Sequence, residues 1–132
     1  MNDFEARLLT GETNLVLAGR KILEWGPQLV VIKKGEHGVM LVTKDDAVAL
    51  PAYPTTEVKD PTGAGDSFAG GMMGYLAKTE DLSFDSLRNA LARGTMTASY
   101  TIEDFSTRRI ENVTLADVEQ RLAEYVAMLR LG

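Results

Sequence analysis

The spacing of apolar residues in the first part of the chain predicts two short helices. Residues 2–9 form the first candidate helix, which Gly11 would end. Thr13 then stands where a helix N-cap is expected, and Gly26-Pro27 would stop the helix that follows it. Between these limits the apolar residues recur at helical spacing, at Leu15, Ala18, Ile22 and Trp25. The chain is therefore predicted to open with helical structure.

Three short apolar runs come next and have the character of strands. The run "LVVI", within residues 28–34, is rich in β-branched residues and predicts a buried strand. The runs "VMLVT" and "AVALPAY" predict two more, the last with Pro51 near its end. The turns "KGEHG" and Asp45-Asp46 separate them. Because the turns are short, we expect an antiparallel extension of one sheet, in layers with the preceding helices.

After residue 63 the pattern predicts three further helices. The apolar face of the first comprises Phe68, Met72, Tyr75 and Leu76. Ser83 is a candidate N-cap for the second, which carries Phe84, Leu87 and Leu91. Thr114 and Asp117 resemble a capping box before the third, whose stripe comprises Leu115, Val118, Leu122, Tyr125 and Leu129. The predicted order is helix, then β-strands, then three helices, which is an α/β fold.

Composition and charge exclude several classes of function. A chain of 132 residues with 45% hydrophobic residues suits one domain with a real core. The net charge of -5 argues against a broad surface for nucleic acid or an anionic membrane, though not against a local anion site. Without cysteine and with His37 as the single histidine, disulfides and thiolate or histidine metal clusters are excluded. We interpret His37 as a solvated turn residue.

The N-terminal segment and the lengths of the apolar stretches favour a cytoplasmic protein. The N-terminus lacks the basic and then apolar layout of a signal peptide. No stretch approaches the apolar length of a membrane span. We therefore expect a cytoplasmic location, with neither nucleic acid nor membrane as a partner.

The segment "KDPTGAGDSFAGGMMG", residues 59–74, has the features of an anion site. Gly63, Ala64 and Gly65 leave the backbone bare and free to take positive φ. A helix is predicted to begin at about Gly65 or Asp66, and its first N–H groups have no partner within the helix. Since the helix dipole is positive at that end, a phosphate or a developing phosphoryl charge fits there.

Asp66 has two interpretations. The helix dipole alone stabilises a carboxylate in the first turn, so Gly63 and Gly65 could form a plain tight turn that Asp66 caps. For "GAGD" by itself this interpretation is favoured, because short glycine motifs match by chance. A carboxylate beside a phosphate is otherwise costly unless it has a chemical task, and the obvious task is to accept a proton from an attacking hydroxyl.

The longer stretch "DPTGAGDSFAGG", residues 60–71, resembles the C-terminal signature of the ribokinase-like sugar kinases, the PfkB carbohydrate kinase family. The resemblance includes the glycines inside the following helix, each of which costs about 1 kcal/mol relative to alanine unless close packing compensates. It implies the C-terminal part of a ribokinase-like α/β/α sandwich. Residues 1–132 would then be a single partial domain, the nucleotide-binding and catalytic half of such a kinase.

The resemblance also implies roles for residues of this stretch. Asp66 resembles the catalytic base that deprotonates the sugar hydroxyl. The backbone of Gly63, Ala64 and Gly65 resembles the anion hole for the transferred phosphoryl group. Asp60 and Thr62 resemble ligands of the monovalent cation, such as K⁺, that many members bind beside the loop.

Other implied roles fall outside this stretch. Asn2 and Glu5 match the N-x-x-E pattern that organises Mg²⁺ and phosphate, although a polar first helical turn would explain them equally. Gly35 and Gly38 resemble the turn that lies against the nucleotide, and a plain β-turn is compatible with that role. Gly94 lies on a helix that flanks the nucleotide in the family. Where members carry a glycine-containing loop near the adenine, this chain reads "TIEDFSTRRI" without glycine, and we interpret Glu103-Asp104 with Arg108-Arg109 as a solvated face.

The resemblance implies an ATP-dependent phosphoryl transfer to a sugar hydroxyl, with ATP and Mg²⁺ as cofactors. A nucleoside or vitamin alcohol is an alternative acceptor, and a non-catalytic nucleotide- or anion-binding fragment, or a truncated remnant, is the alternative to an enzyme. Because the match covers only the C-terminal half of a typical member, we expect the isolated chain to be inactive. An exposed sheet edge would favour self-association, which predicts a homo-oligomer.

Overall fold

The computed structural model describes residues 1–103 and 112–131. The chain divides into two compact units, residues 1–52 and residues 53–132. Of the solvated face predicted for Glu103-Asp104 with Arg108-Arg109, residues 104, 108 and 109 lie outside the described residues. The prediction is wrong for Glu103, because its side chain is only 10% exposed and forms an ion pair with Arg121. Among those that are described, no helix combines the length and the apolar character that crossing a membrane requires.

The first unit opens with the two predicted helices. Helix α1 spans Asp3–Thr10 and ends at Gly11, whose φ of 74° is left-handed and whose N–H bonds to the carbonyl of Arg7. Helix α2 spans Leu15–Leu23. The first helix and its stop signal are confirmed.

The limits predicted for α2 are wrong at both ends. Its N-cap is Asn14 rather than Thr13, because the Asn14 side chain accepts a hydrogen bond of 3.0 Å from the N–H of Leu17. The carbonyl of Thr13 instead accepts from Nε of Arg7 at 3.0 Å. Trp25 lies beyond the end of the helix and is 53% exposed, so it is not part of the buried stripe.

The three predicted strands form one antiparallel sheet. Strands β1 (Leu29–Lys33), β2 (Val39–Thr43) and β3 (Ala47–Leu50) lie in the order β1-β2-β3. The third strand stops before Pro51, which has no N–H to donate to a ladder. Burial along β1 alternates, with Val30 and Ile32 fully inside, which is the pattern of a strand with one well-covered face.

The two helices pack on one face of this sheet. Their shared core comprises Ala6, Ala18, Ile22, Val30 and Ile32. Helix α2 lies close to β2, because a Cβ at Gly19 would stand 2.9 Å from a methyl group of Val42. The core of the first unit is thus a helix layer on a sheet, as predicted.

The first residues fix the start of α1 beside β1. The N–H of Lys33 donates to the carbonyl of Met1 at 2.9 Å, and the terminal amine of Met1 donates to the carbonyl of Val31 at 3.1 Å. Asn2 and Lys33 form a parallel bridge. The N-terminal turn of α1 therefore lies next to the end of β1, where the "KGEHG" turn begins.

The second unit contains three helices among its described residues. They are α3 (Ala64–Thr79), α4 (Phe84–Thr101) and α5 (Leu115–Leu129). Ser83 caps α4, and Thr114 and Asp117 form a reciprocal capping box before α5, so both predicted caps are confirmed. Helix α3 begins at Ala64, slightly earlier than predicted.

Helices α4 and α5 share a core whose members are Met96, Tyr100, Val118, Leu122 and Tyr125. The stripe predicted for α5 is therefore wrong at its ends, since Leu115 is 62% and Leu129 is 38% exposed. The middle of the helix is buried in this core, whereas its first and last positions extend beyond the core. In the same core, burial raises the pKa of Tyr125 to about 12.

Candidate anion-binding site

The approach to α3 is a tight turn made by local hydrogen bonds. The side chain of Asp60 accepts from the N–H of Thr62 at 2.9 Å, and the N–H of Ala64 donates to the carbonyl of Pro61 at 3.1 Å. Gly63 is the N-cap of α3, with a left-handed φ of 83° and no side chain to cap the helix. Glycine suits this position because it takes positive φ without steric cost.

This turn leaves backbone donors available at the start of α3. The N–H of Ser67 bonds to the carbonyl of Gly63 at 2.9 Å, which is the first regular helical bond. Within residues 1–103 and 112–131, the N–H groups of Gly65 and Asp66 have no hydrogen-bond acceptor. Two unpaired donors at the positive end of a 16-residue helix form a geometry suited to an anion.

The carboxylate of Asp66 lies beside these donors. Its side chain is exposed in the first turn of α3. Within the described part of the chain it has no hydrogen bond or ion pair, so no structural contact accounts for it. The arrangement is able to bind a phosphoryl group through the backbone and to accept a proton through the side chain, and that role for Asp66 stays a prediction.

Asp60 and Thr62 lie together at the entrance of the loop. Asp60 is half-buried, and its N–H and that of Lys59 both donate to the carbonyl of Ile102, at 3.3 and 2.7 Å. Carboxylate, hydroxyl and carbonyl oxygens are the donors that a hard cation prefers, so the residues present fit a monovalent cation. Their role as its ligands stays a prediction.

In the first unit, Asn2 and Glu5 form a reciprocal capping box. The Asn2 side-chain oxygen accepts from the N–H of Glu5 at 2.7 Å, and Oε1 of Glu5 accepts from the N–H of Asn2 at 3.0 Å. These bonds are those of a polar first helical turn, which was the alternative to a metal role for the two residues. Both side chains are exposed, and the second oxygen of Glu5 forms no hydrogen bond or ion pair in the described chain.

Magnesium requires few protein ligands if phosphate is present. The described residues contain no group of three or more histidine, cysteine, aspartate or glutamate side chains that could hold a metal ion. Mg²⁺ in kinases is bound by one or two carboxylates together with phosphate oxygens and water. One carboxylate such as Glu5 fits that requirement, and its role stays a prediction.

Gly35 and Gly38 form the turn between β1 and β2, which is a single 3-10 turn over Gly35–His37. Their φ angles are 59° and 100°, so both positions favour glycine. A Cβ at Gly38 would overlap the carbonyl oxygen of Leu50 and stand 2.8 Å from Cα of Pro51. The glycines are therefore explained by the turn itself, and their contact with a nucleotide stays a prediction. His37 is exposed, as predicted.

Gly94 has a packing role in the structure. It is buried in α4, and a Cβ there would stand 2.8 Å from the carbonyl oxygen of Phe68 in α3. Gly71 of α3 makes the reciprocal close approach, because a Cβ there would stand 2.5 Å from Oγ1 of Thr97. The expectation that glycines inside α3 serve close helix packing holds at Gly71, and the nucleotide role of Gly94 stays a prediction.

Two contacts beside the loop were not predicted from the sequence. The Thr101 hydroxyl donates to the Ser67 hydroxyl at 2.7 Å, although the residues are 34 positions apart. Arg121 forms an ion pair with Glu103 at 3.0 Å. Neither pair has a signal in the sequence, because nothing local links their positions.

The family comparison matches most of the chain. A model described as a pfkB family carbohydrate kinase matches residues 1–113. This range includes all residues to which the sequence assigned a role in a site.

Curated relatives are kinases of sugars and nucleosides. The cytidine kinase of Thermococcus kodakarensis is 44% identical over 77 residues, which are 56% of this chain and 27% of that protein. The ribokinase of Mus musculus is 36% identical over 115 residues, which are 81% of this chain and 34% of the ribokinase. The chain thus spans about a third of the length of these relatives.

A solved structure confirms the predicted fold class. The nucleoside kinase of Methanocaldococcus jannaschii, an archaeal member of the ribokinase family, matches 94% of this chain and 38% of its own, with a TM-score of 0.76 and 27% identity. The chain therefore has a partial ribokinase-like α/β fold.

Proposed function

Because the chain belongs to the pfkB family of carbohydrate kinases, we propose that it carries the anion hole and the catalytic base of an ATP-dependent phosphoryl transfer to a sugar hydroxyl. The start of α3 carries this proposal: unpaired N–H groups of Gly65 and Asp66 lie beside an exposed carboxylate. Positioning and electrostatic stabilisation dominate catalysis of phosphoryl transfer, and this site offers both. Residues 1–132 act as one partial domain, the nucleotide-binding and catalytic half.

In this reaction the sugar oxygen bonds to the γ-phosphorus of ATP, and the bond from that phosphorus to the bridging oxygen breaks to release ADP. Asp66 accepts the hydroxyl proton. The backbone of Gly63, Ala64 and Gly65 surrounds the transferred phosphoryl group, whose negative charge the helix dipole stabilises.

The remaining proposed contacts serve the nucleotide and the cations. Asn2 and Glu5 would hold Mg²⁺, which would supply positive charge to the phosphates when bound. Asp60 and Thr62 would hold K⁺ beside the anion hole. The turn at Gly35 and Gly38 and the α4 segment at Gly94 would lie against the nucleotide.

A nucleoside acceptor is the second candidate, and the identity to a cytidine kinase, 44% over 77 residues, favours it. Assaying phosphoryl transfer from radiolabelled ATP to ribose, fructose and cytidine in parallel, in a full-length context, distinguishes the two acceptors. Binding of Mg-ATP with no transfer to any of them would instead support a non-catalytic nucleotide-binding chain.

Calorimetric titration with Mg-ATP, in potassium and in sodium buffer, tests the anion hole. Gly65→Val adds a branched side chain at a residue whose own N–H is one of the two donors, and it should abolish binding. Gly74→Val is the matched control, because a Cβ at this glycine of the same helix meets nothing within 4 Å. Equal loss of affinity in both variants, or none in Gly65→Val, would contradict the proposed site.

We also propose that the protein forms a homo-oligomer. Phe4 and Leu8, one turn apart on α1, are 69% and 74% exposed and make an apolar surface on the first unit. Sedimentation velocity over a range of concentrations tests this, and a monomer at the highest concentration would refute it.

A further inference from the structure

Arg121 of α5 makes a nearly buried ion pair at the end of α4. Its Nη2 donates to both carboxylate oxygens of Glu103, at 3.0 and 3.2 Å, and its Nη1 donates to the hydroxyl of Ser99 at 2.9 Å. The Arg121 and Glu103 side chains are only 14% and 10% exposed. One nitrogen thus binds both carboxylate oxygens while the other binds Ser99, which together restrict the orientation of both side chains.

Two tyrosine rings and a threonine complete this cluster. The guanidinium of Arg121 lies over the rings of Tyr100 and Tyr53, 3.6 and 4.5 Å from their centroids. Glu103 also accepts from the hydroxyl of Thr55 at 3.1 Å. The cluster thus joins three parts of the second unit: α5, the end of α4, and residues 53–55, which precede the loop at the start of α3.

The end of α4 in turn holds the loop at two places. The carbonyl of Ile102, next to Glu103, accepts from the N–H groups of Lys59 and Asp60. One residue earlier, the hydroxyl of Thr101 donates to Ser67 in the first turn of α3 at 2.7 Å. A shift at Glu103 would therefore move both the entrance of the loop and the first turn that carries its donors.

We propose that Glu103 and Arg121 are positioning residues for the anion hole at Gly63–Asp66. This inference rests on the proposed function of that loop. A buried ion pair adds little net stability compared with apolar residues of the same volume. Its effect here is to fix the end of α4, and hence the orientation of the N–H groups of Gly65 and Asp66.

A second ion pair, between α4 and α5, provides a control. Arg93 of α4 donates from Nε and Nη2 to the two oxygens of Glu119 in α5, at 2.8 and 3.1 Å. Its guanidinium lies 4.2 Å from the centroid of the Tyr75 ring. This pair is bidentate and, like the first, is stacked on a tyrosine. Among the described residues, Arg93 forms no hydrogen bond with residues 59–67.

The experiment compares Glu103→Gln with Glu119→Gln. Each change keeps the side-chain shape and removes one charge. Three kinds of measurement are made on each variant. They are the unfolding temperature, the Kd for Mg-ATP and for inorganic phosphate, and the NMR chemical shifts of the Gly65 and Asp66 amides without ligand. Arg121→Gln and Arg93→Gln repeat the comparison from the other partner.

We expect Glu103→Gln and Arg121→Gln to move both amide signals and to raise the Kd about tenfold or more, since small misplacements in a phosphoryl site are costly. The Glu119 and Arg93 variants should lower the unfolding temperature with the Kd unchanged. Unmoved amide signals in Glu103→Gln, or equal effects from both pairs, would overturn the inference. If the unaltered chain binds neither ligand, the proposed function fails, while the amide signals still decide the positioning role.

Discussion

The hydroxyl of Thr101, the last residue of α4, donates a hydrogen bond of 2.7 Å to the hydroxyl of Ser67 in the first turn of α3. Thr101 is completely buried, and Ser67 directly follows Asp66 in the chain. The bond therefore connects the end of one helix to the start of the helix that carries the candidate anion hole.

Replacing Thr101 by valine should remove this bond and keep the buried shape. We expect a loss of about 1 kcal/mol in the free energy of unfolding, because a typical buried hydrogen bond contributes about that much. Urea denaturation measures it, with Ser67→Ala and the double variant completing a cycle. Fully additive effects of the two changes would mean that the hydroxyls do not interact.

The close contact of α3 with α4 predicts opposite effects of alanine at two glycines. Gly94→Ala should destabilise the protein by about 1–3 kcal/mol, because its Cβ would press on the backbone carbonyl of Phe68. Gly74→Ala should stabilise it by up to about 1 kcal/mol, because nothing lies within 4 Å and alanine favours the helix. Thermal and urea unfolding of the two variants test both signs.

Asp66→Asn should separate anion binding from catalysis. Removing a negative charge beside the unpaired N–H groups should leave the affinity for inorganic phosphate and Mg-ATP equal or higher. In a full-length context, transfer to an acceptor should fall by about 10²–10⁴-fold, the usual contribution of a general base. Calorimetry and a radiolabelled transfer assay measure the two quantities, and normal turnover in the variant would exclude Asp66 as the base.

Glu5→Gln should separate the capping role of this residue from a metal role. Glutamine at this position still closes a capping box with Asn2, so the unfolding temperature should stay within about a degree of the unaltered protein. If Glu5 holds Mg²⁺, the variant needs more Mg²⁺ for the same ATP affinity. Titration of ATP at several Mg²⁺ concentrations checks this, and an unchanged dependence would leave Glu5 with the cap alone.

Alkaline pH should weaken the fold through Tyr125. Burial raises the pKa of its phenol from 10.0 to about 12, so the unfolded chain releases this proton before the folded protein does. The contribution of Tyr125 to stability is therefore complete below pH 10 and is lost as the pH rises towards 12. Urea midpoints of the unaltered protein and Tyr125→Phe, measured across this range, should converge or cross, and parallel curves would contradict the shift.

Features that depend on neighbouring residues were determined by the sequence itself. The caps at Ser83 and Thr114 follow from side chains that bond to nearby backbone, and the stop at Gly11 follows from the left-handed φ that glycine adopts readily. The three strands follow from short apolar runs. The glycine turn at Gly63 and the helix behind it are local in the same sense. The cap of α2 was predicted wrongly: the sequence pattern indicated Thr13, and in the structure the neighbouring Asn14 caps the helix.

Only the tertiary structure decided what lies around the loop. The bond between Thr101 and Ser67 and the Glu103–Arg121 pair join residues that are distant in the chain, and no local pattern marks them. Glycine is favoured at position 94 because the backbone of Phe68 lies close to it, and only the packing of α3 on α4 brings the two together. Hydrogen bonding to the local backbone is encoded within a few residues, whereas contacts between helices depend on how their faces meet, which no short window of sequence contains.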